Sequence, residues 1–278
     1  MVLIISSEDD ISTNDVIDWL IFYKIPYLRI SHLDDVRYND IIISNSFFEV
    51  ELIINNVKYK LTQFKAFWYR RSFLNMTIKP YKSKKKLDKE VKRHLENEAQ
   101  EVNRLVKKYI EKLSLNKHND IFLNKLEVLK EATEIGLLIP KTIVTDSKKK
   151  LFQFYSKNKQ IISKNFSPGI FIRDGIKMLG NSTKLIDEPV LNSIPEKFHY
   201  MLFQECIDKL FEVRVFFVKN IFYSSAIFSQ NNEKTKLDFR NYDFENLNRT
   251  PPFILPSDIQ NKIIKLMNRL NINSGSVD

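Results

Sequence analysis

Runs and spacings of apolar positions divide this chain into short strands and amphipathic helices. Residues 2–5 form a β-branched apolar run, and Ser6, Ser7, Glu8, Asp9 and Asp10 then supply turn and helix-start residues. Ile11, Val16, Ile17, Leu20 and Ile21 recur near helical spacing, and residues 27–30 read as a second strand. A β-α-β opening of this kind predicts a parallel sheet. Residues 41–44, 49–54 and 57–62 read as further strands, with Asn55 and Asn56 as a hairpin turn. Leu87, Val91, Leu95, Ala99, Val102, Val106, Ile110 and Leu113 step by fours and threes, which predicts a helix of about seven turns. It is expected to run from the first lobe towards the next, and residues 116–119 break it. Residues 124–136 predict a second helix, stopped by Gly136 and barred from continuing by Pro140.

The second half is richer in strands. Residues 140–145 and 160–165 read as strands, and Lys164 falls at the end of the second. Ser167, Pro168 and Gly169 predict a turn placed to form a short loop over a ligand. Residues 173–200 carry mixed signals. Residues 213–218 and 221–228 are strongly β-type, with Glu212, Arg214, Lys236, Asp238 and Arg240 set at their ends and beyond. Charges at strand ends make sites rather than cores. Ser257 and Gln260 predict a capping box for a last helix whose apolar face is Ile259, Ile263, Leu266, Met267 and Leu270. Residues 275–278 open one more strand.

Composition narrows the class. A chain of 278 residues with 43% hydrophobic and 12% aromatic content can bury a core and is not disordered. It fits one large or two to three small lobes. Cys206 is the lone cysteine, so neither an internal disulfide nor a CxxC metal site can form. His32, His94, His118 and His199 are scattered without ligand spacing. The apolar run after Met1 is too short for a signal peptide or a membrane span, so a reducing, cytoplasmic location is expected. Without a G-x-G-x-x-G after the first strand, a dinucleotide fold has no support.

The net charge is +10, and residues 79–112 alone hold twelve Lys/Arg against six Asp/Glu. Two readings of that stretch stand: a solvated lysine-rich helix, or a basic surface for nucleic acid, acidic peptide or anionic membrane. Phe67, Trp68, Tyr69, Arg70 and Arg71 also read two ways. Aromatics beside paired arginines can hold a peptide acid, because arginine forks a carboxylate and the rings shield the pair. They can equally form a strand with a snorkelling rim.

Several segments together resemble the ATP-grasp superfamily. NKLEVLKEATEIGLLIPKTIVT (124–145) is similar to the entry to its central lobe, QIISK (160–164) to its lysine strand and FQECI (203–207) to its hinge. A narrower resemblance runs through WYRR (68–71), KLFEVRVFFV (209–218), AIFSQ (226–230), TKLDFRNY (235–242), NRTPPFILP (248–256) and LNINSGSVD (270–278). In that order these segments resemble the ATP-grasp peptide maturases of grasp-with-spasm systems, relatives of the microviridin-type graspetide ligases.

The resemblance implies an α/β fold with α+β lobes: a βαβ pre-ATP-grasp and peptide-binding lobe with the long helix over 1–115, a small central lid lobe over 116–202, and a C-terminal antiparallel-sheet lobe over 203–278. It implies ATP and Mg²⁺ as cofactors and a ribosomally made precursor peptide, with an acidic core and a leader, as partner. The implied reaction phosphorylates a side-chain carboxylate of that peptide, and a Ser/Thr hydroxyl or Lys amine of the same peptide then attacks to close an ω-ester or ω-amide. Lys125 and Lys164 would meet nucleotide phosphates. Gln204, Glu205 and Ile207 would form the adenine hinge, and Glu212 would accept from the ribose. Arg240 would steady the phosphoryl group, oriented by Asp238, with Arg214 lining the site. Asp278 would ligate magnesium, and Trp68, Arg70 and Arg71 would hold peptide. Relatives suggest a homodimer; neither nucleic acid nor membrane is an expected partner.

The family pattern continues with a further strand, a hairpin and a Glu-x-Asn-Pro motif whose Glu and Asn complete the metal site. This sequence has none of these after Asp278, so a C-terminally truncated ligase is expected. The alternative is a catalytically incomplete homologue that binds peptide without chemistry.

Overall fold

A computed structural model describes residues 1–70, 88–116, 123–158, 160–165, 171–174, 177–180 and 183–278. The chain divides into two compact units, Met1–Ile121 and Phe122–Asp278. Arg71, His118 and the turn expected at 167–169 lie outside the described residues.

The first unit opens as expected, with β1 (Val2–Ser6), α1 (Ile11–Phe22) and β2 (Tyr27–Ile30). β3 (Val36–Ser44), β4 (Phe47–Ile54), β5 (Val57–Lys60) and β6 (Ala66–Arg70) follow, and α2 (Asp88–Glu111) supplies the long helix. β1 is the centre of a parallel sheet, β2-β1-β6. β3, β4 and β5 form a separate antiparallel meander. Leu3, Ile5, Val50, Leu52, Phe64 and Phe67 pack with Val106 and Ile110 of α2 into one core.

Two expectations for this unit are corrected. α1 forms where predicted, capped by Asp10, whose carboxylate takes the Thr13 amide at 2.8 Å. Its apolar positions, however, do not make a buried stripe. Thr13 is the buried residue of the helix, and Trp19 and Phe22 are 60% and 70% exposed. The basic excess also does not lie on the long helix. α2 carries six Lys/Arg and six Asp/Glu, and the surplus comes from Lys112 and from Lys79, Lys82, Lys84, Lys85 and Lys86, outside the described residues. A helix with balanced charge offers no electrostatic footprint for nucleic acid.

The second unit begins with α3 (Lys125–Glu134), β7 (Thr142–Ser147), α4 (Lys148–Tyr155) and β8 (Ile161–Lys164). β9 (Phe171–Asp174) and β10 (Lys177–Gly180) pair as a hairpin, and β11 (Lys184–Ile186), α5 (Glu188–Ser193) and β12 (Lys197–Glu205) come next. The antiparallel order β11-β8-β12-β7 makes one sheet. Its core is Leu151, Ile161, Ile186, Leu191 and Phe203. β13 (Glu212–Val218), β14 (Ile221–Ile227), α6 (Ser257–Arg269) and β15 (Ser274–Val277) complete the unit, with sheet order β14-β13-β15. α6 packs Ile263 and Met267 against Val215 and Phe217 of that sheet. Arg269 ties α6 to Glu131 and Glu134 of α3 at 3.1 and 3.0 Å. The residue 203 expected to open the last lobe falls inside β12. Among the described residues, no helix is long and apolar enough to cross a membrane.

The capping box expected for α6 does not form. Pro256 takes the N-cap position and has no side-chain acceptor, while Gln260 donates to the Leu255 carbonyl at 2.7 Å. The hairpin turns behave as their asparagines suggest. Asn55 and Asn56 sit at φ 50° and 67°, and Lys219 and Asn220 between β13 and β14 at 43° and 69°. Both central positions of such a turn need positive φ, which asparagine tolerates better than most residues.

Asn56→Val should therefore destabilise the first unit by about 1–2 kcal/mol, and Asn56→Gly should be neutral or mildly stabilising. Urea midpoints at constant slope read both effects.

Candidate functional site

A cleft of about 800 Å³ in the second unit is lined by Lys164, Gln204, Glu205, Cys206, Ile207 and Lys209, among others. Ends of β8 and β12 form one wall. Antiparallel pairing sets Lys164 opposite Leu202, two residues before Gln204.

The hinge strand is fastened by its own backbone. The Glu205 amide donates to the Lys141 carbonyl at 2.9 Å, and the Cys206 amide donates to Gln160 at 2.9 Å. The Lys141 amide returns a bond to the Glu205 carboxylate at 2.9 Å, the chief reason that this acid is held below the usual range. Gln204 is buried and donates to the Thr142 hydroxyl at 2.9 Å. The Glu205 amide is thus committed inside the protein. The Ile207 amide makes no hydrogen bond among the described residues and is available to a ligand. Cys206 is half-buried, and burial pushes its thiol up.

Lys164 is the unusual member. Its ammonium makes no hydrogen bond or ion pair among the described residues. Burial lowers its pKa, with Asp238 opposing and Arg240 and Lys209 assisting. Lys125, at the first turn of α3, donates to the Asn165 carbonyl at 2.6 Å. Burial lowers it too, followed by the field of Arg240.

The opposing charges belong to β13, β15 and the loop after β14. Glu212 accepts from Lys209 at 2.7 Å and from the buried Ser229 hydroxyl at 2.9 Å. Asp238 and Arg240 form a two-point fork at 2.7 and 2.6 Å. Burial pushes the Asp238 carboxyl up, but bonds from Arg240 and from the buried Thr183 hydroxyl at 2.7 Å outweigh it and hold the carboxyl well below the usual range. Val215 pairs with Val277, so the next cross-strand pair sets Arg214 against Asp278, 2.6 Å apart. Arg214 also stacks 4.9 Å from the Phe239 ring centre. Burial raises the Asp278 carboxyl, against the pull of Arg214 and Arg240.

Residues expected from the sequence at 125, 164, 204, 205, 207, 212, 214, 238, 240 and 278 therefore all fall in the second unit. Trp68 and Arg70 lie in the first, on β6. Arg70 is paired with Asp10, the cap of α1, at 3.3 Å. Thr183 was not foreseen: it lies 55 positions from Asp238 in a stretch with no periodic signal. Lys209 and Ser229 hold Glu212, and only the three-residue spacing of Lys209 hinted at this.

The donor set can be tested against magnesium. Among the described residues, no group of three His, Cys, Asp or Glu side chains could hold a metal. Asp278 offers one hard carboxylate, shared with Arg214. This fits magnesium in the mode where one or two carboxylates and substrate phosphates share the ion, and not as a protein-built cage.

Lys164 at the end of β8 thus lies within the fields of Glu212 from β13 and of Asp238 and Arg240 from the loop after β14. Solved structures share the fold that holds them. The chain is similar to the Chryseobacterium gregarium RiPP-associated ATP-grasp ligase, solved with ADP and a leader and core peptide, at TM-score 0.76 and 23% identity over 100% of this chain and 84% of that one. It is similar to the macrocyclase MdnC of Microcystis aeruginosa MRC, bound with precursor peptide MdnA, at TM-score 0.73 and 24% identity over 100% and 86%. The ATP-grasp ligase PsnB, complexed with minimal precursor, Mg and ADP, matches at TM-score 0.65 and 13% identity over 100% and 83%. No family model and no curated protein matches the sequence. The ATP-grasp fold expected from the sequence is the fold of this chain.

The loop carrying Asp238 and Arg240 is pinned by Asp243, which is buried and accepts from Asn232 at 3.0 Å and Lys234 at 3.2 Å. The Asn232 bond is the first cause holding Asp243 at about 2. A pKa lowered on folding stabilises above the unfolded value and is lost as pH falls. Thermal unfolding should therefore be unaffected by Asp243 titration near neutrality and weaken from pH 3.8 towards about 2. Asp243→Asn should flatten that acid limb while lowering stability at neutral pH.

Proposed function

We propose that this chain is an ATP-dependent ligase that crosslinks side chains of a ribosomally made precursor peptide. Its reading rests first on Lys164. A half-buried ammonium with no counter-ion among the described residues, in a cleft of about 800 Å³, calls for an anionic ligand, and nucleotide phosphate supplies it. The solved relatives with this fold that carry ADP and peptides support the same ligand pair.

In this reading the Ile207 amide meets the adenine edge and Glu212 accepts from ribose hydroxyls. Lys164 and Lys125 hold phosphates. The peptide carboxylate attacks the γ-phosphorus, ADP leaves, and an acyl phosphate forms. A Ser/Thr hydroxyl or Lys amine then attacks the acyl carbon, loses its proton and expels phosphate. Arg240, aimed by Asp238, steadies the phosphoryl oxygens as charge shifts. Arg214, paired with Asp278 and stacked on Phe239, stands beside them. Magnesium, when bound with the nucleotide, neutralises phosphate charge, and Asp278 would hold it.

Trp68, Arg70 and Arg71 stand in the proposal as peptide-holding residues, and the division into lobes at 1–115, 116–202 and 203–278 belongs to it. So does a cytoplasmic location, which suits a lone free cysteine. A homodimer completes it. Trp19, Phe22 and Tyr23 cluster on exposed α1, the kind of apolar surface that subunits cover. Sedimentation equilibrium should give twice the chain mass, and Trp19→Asp should return the monomer.

The decisive assay mixes protein, ATP, magnesium and an acidic Ser/Thr/Lys-containing precursor. Mass spectrometry should show loss of one water per crosslink. Arg240→Ala should cut the rate by about 10²–10³-fold, with ATP affinity much less affected. Peptide binding without ATP turnover would replace the ligase with a binding module.

A further inference from the structure

The chain from Phe228 to Pro256 contains neither helix nor strand, yet it is stiff. Asp243 gathers Asn232, Lys234 and the Glu245 amide around one buried carboxylate. Thr235 is 1% exposed, with its hydroxyl 3.1 Å from the Ser229 carbonyl and 3.0 Å from the Asn248 side chain. Loops of this length without secondary structure are usually functional.

One end of this loop encloses a second cavity, about 370 Å³, that shares no lining residue with the nucleotide cleft. Four asparagines, Asn231, Asn232, Asn246 and Asn248, line it together with Phe228 and Arg249. We infer that this cavity is a subsite for a side-chain carboxylate of the peptide substrate, distinct from the carboxylate that is activated. The inference rests on the ligase reading above.

Arg249 carries the argument. Arg214, Arg240 and Arg269 of this unit each hold a carboxylate. Arg249 has no carboxylate partner among the described residues. Its guanidinium lies 5.1 Å from the Phe228 ring centre. A stacked guanidinium keeps its N–H edge free and oriented for a two-point bond to a carboxylate. Asn232 and Asn246 spend their amide donors within the loop, on Asp243 and the Asn246 carbonyl, and no acidic side chain lines the cavity. Its volume lies at the small end for ligand sites, suited to one side chain rather than a nucleotide.

The subsite is also wired to the nucleotide acid. Asn248 meets Thr235, Thr235 meets Ser229, and the Ser229 hydroxyl donates to Glu212 at 2.9 Å. A peptide anchored at Arg249 is thereby held in fixed register with the cleft.

The test uses the full chain and three synthetic peptides, titrated by calorimetry. The first has two glutamates and both ends blocked. The second replaces both with glutamine. The third is the glutamine peptide with a free C-terminal carboxylate. The glutamate peptide should bind at least about tenfold more tightly than its glutamine twin. Arg249→Ala should remove most of that preference, and Arg249→Lys should restore only part of it, with ATP affinity as the folding control. Should Arg249→Ala lose ATP binding, Arg249→Gln removes the charge while keeping bulk and decides the question. Equal binding of the first two peptides, a preference that survives loss of Arg249, or binding only through the free C-terminus overturns the subsite. ATP turnover without a glutamate preference defeats the subsite alone; a glutamate preference without ATP binding defeats the ligase reading alone.

Discussion

A half-buried ammonium with no counter-ion among the described residues is the constraint around which the second unit is arranged. Lys164 could be neutralised by Asp238 or Glu212, whose fields reach it. Each of those acids is instead taken by another cation, Asp238 by Arg240 and Glu212 by Lys209. The acids hold the arginine and the second lysine in place and leave Lys164 free. An unpaired charge is costly to bury, so the fold retains a cost that an anionic ligand removes. The same logic explains why burial leads the lowered pKa of both Lys164 and Lys125.

Rigidity around this charge comes from short-range fastenings rather than from bulk. The hinge after β12 is tied to Lys141 and Gln160 by two backbone bonds. The Asp238 and Arg240 fork is braced by Thr183, the residue before β11. The loop that carries the fork folds around Asp243, so a segment without regular hydrogen bonding still presents its charges in fixed geometry. In the proposed reaction, preorganised charge of this kind would cost no reorganisation as phosphoryl transfer occurs.

Much of this was legible before any coordinates. The period-two and period-four patterns place β1, α2, α3, β8, β13 and β14 close to their observed bounds. Asn55 and Asn56 mark a turn for a reason intrinsic to their side chains. Lys164, Glu212, Asp238 and Arg240 were named from motif order; Lys164 lines the cleft, and the charges of the other three act on it from nearby. Less legible were the relations between distant residues. Ser257 and Gln260 fit a capping pattern, but Pro256 and the path of the preceding chain prevented it. The apolar spacing of α1 predicted its helix, which forms, but carried no sign that Trp19 and Phe22 would be exposed.

The sequence by itself determined the elements, their turns and the residue types able to handle phosphate, because periodicity, capping and positive-φ preferences act over a few neighbours. Only the tertiary structure decided which charges are satisfied and which are left waiting. Arg214 meets Asp278 through strand register, Asp238 meets Thr183 across 55 residues, and Arg249 meets an aromatic ring rather than an acid. Ion pairing depends on distance in space and on burial, and neither is written in local spacing. That is why Arg249, an ordinary basic residue in a basic chain, became distinctive only once its surroundings were known, and why the unpaired state of Lys164 among the described residues could not be read from its motif.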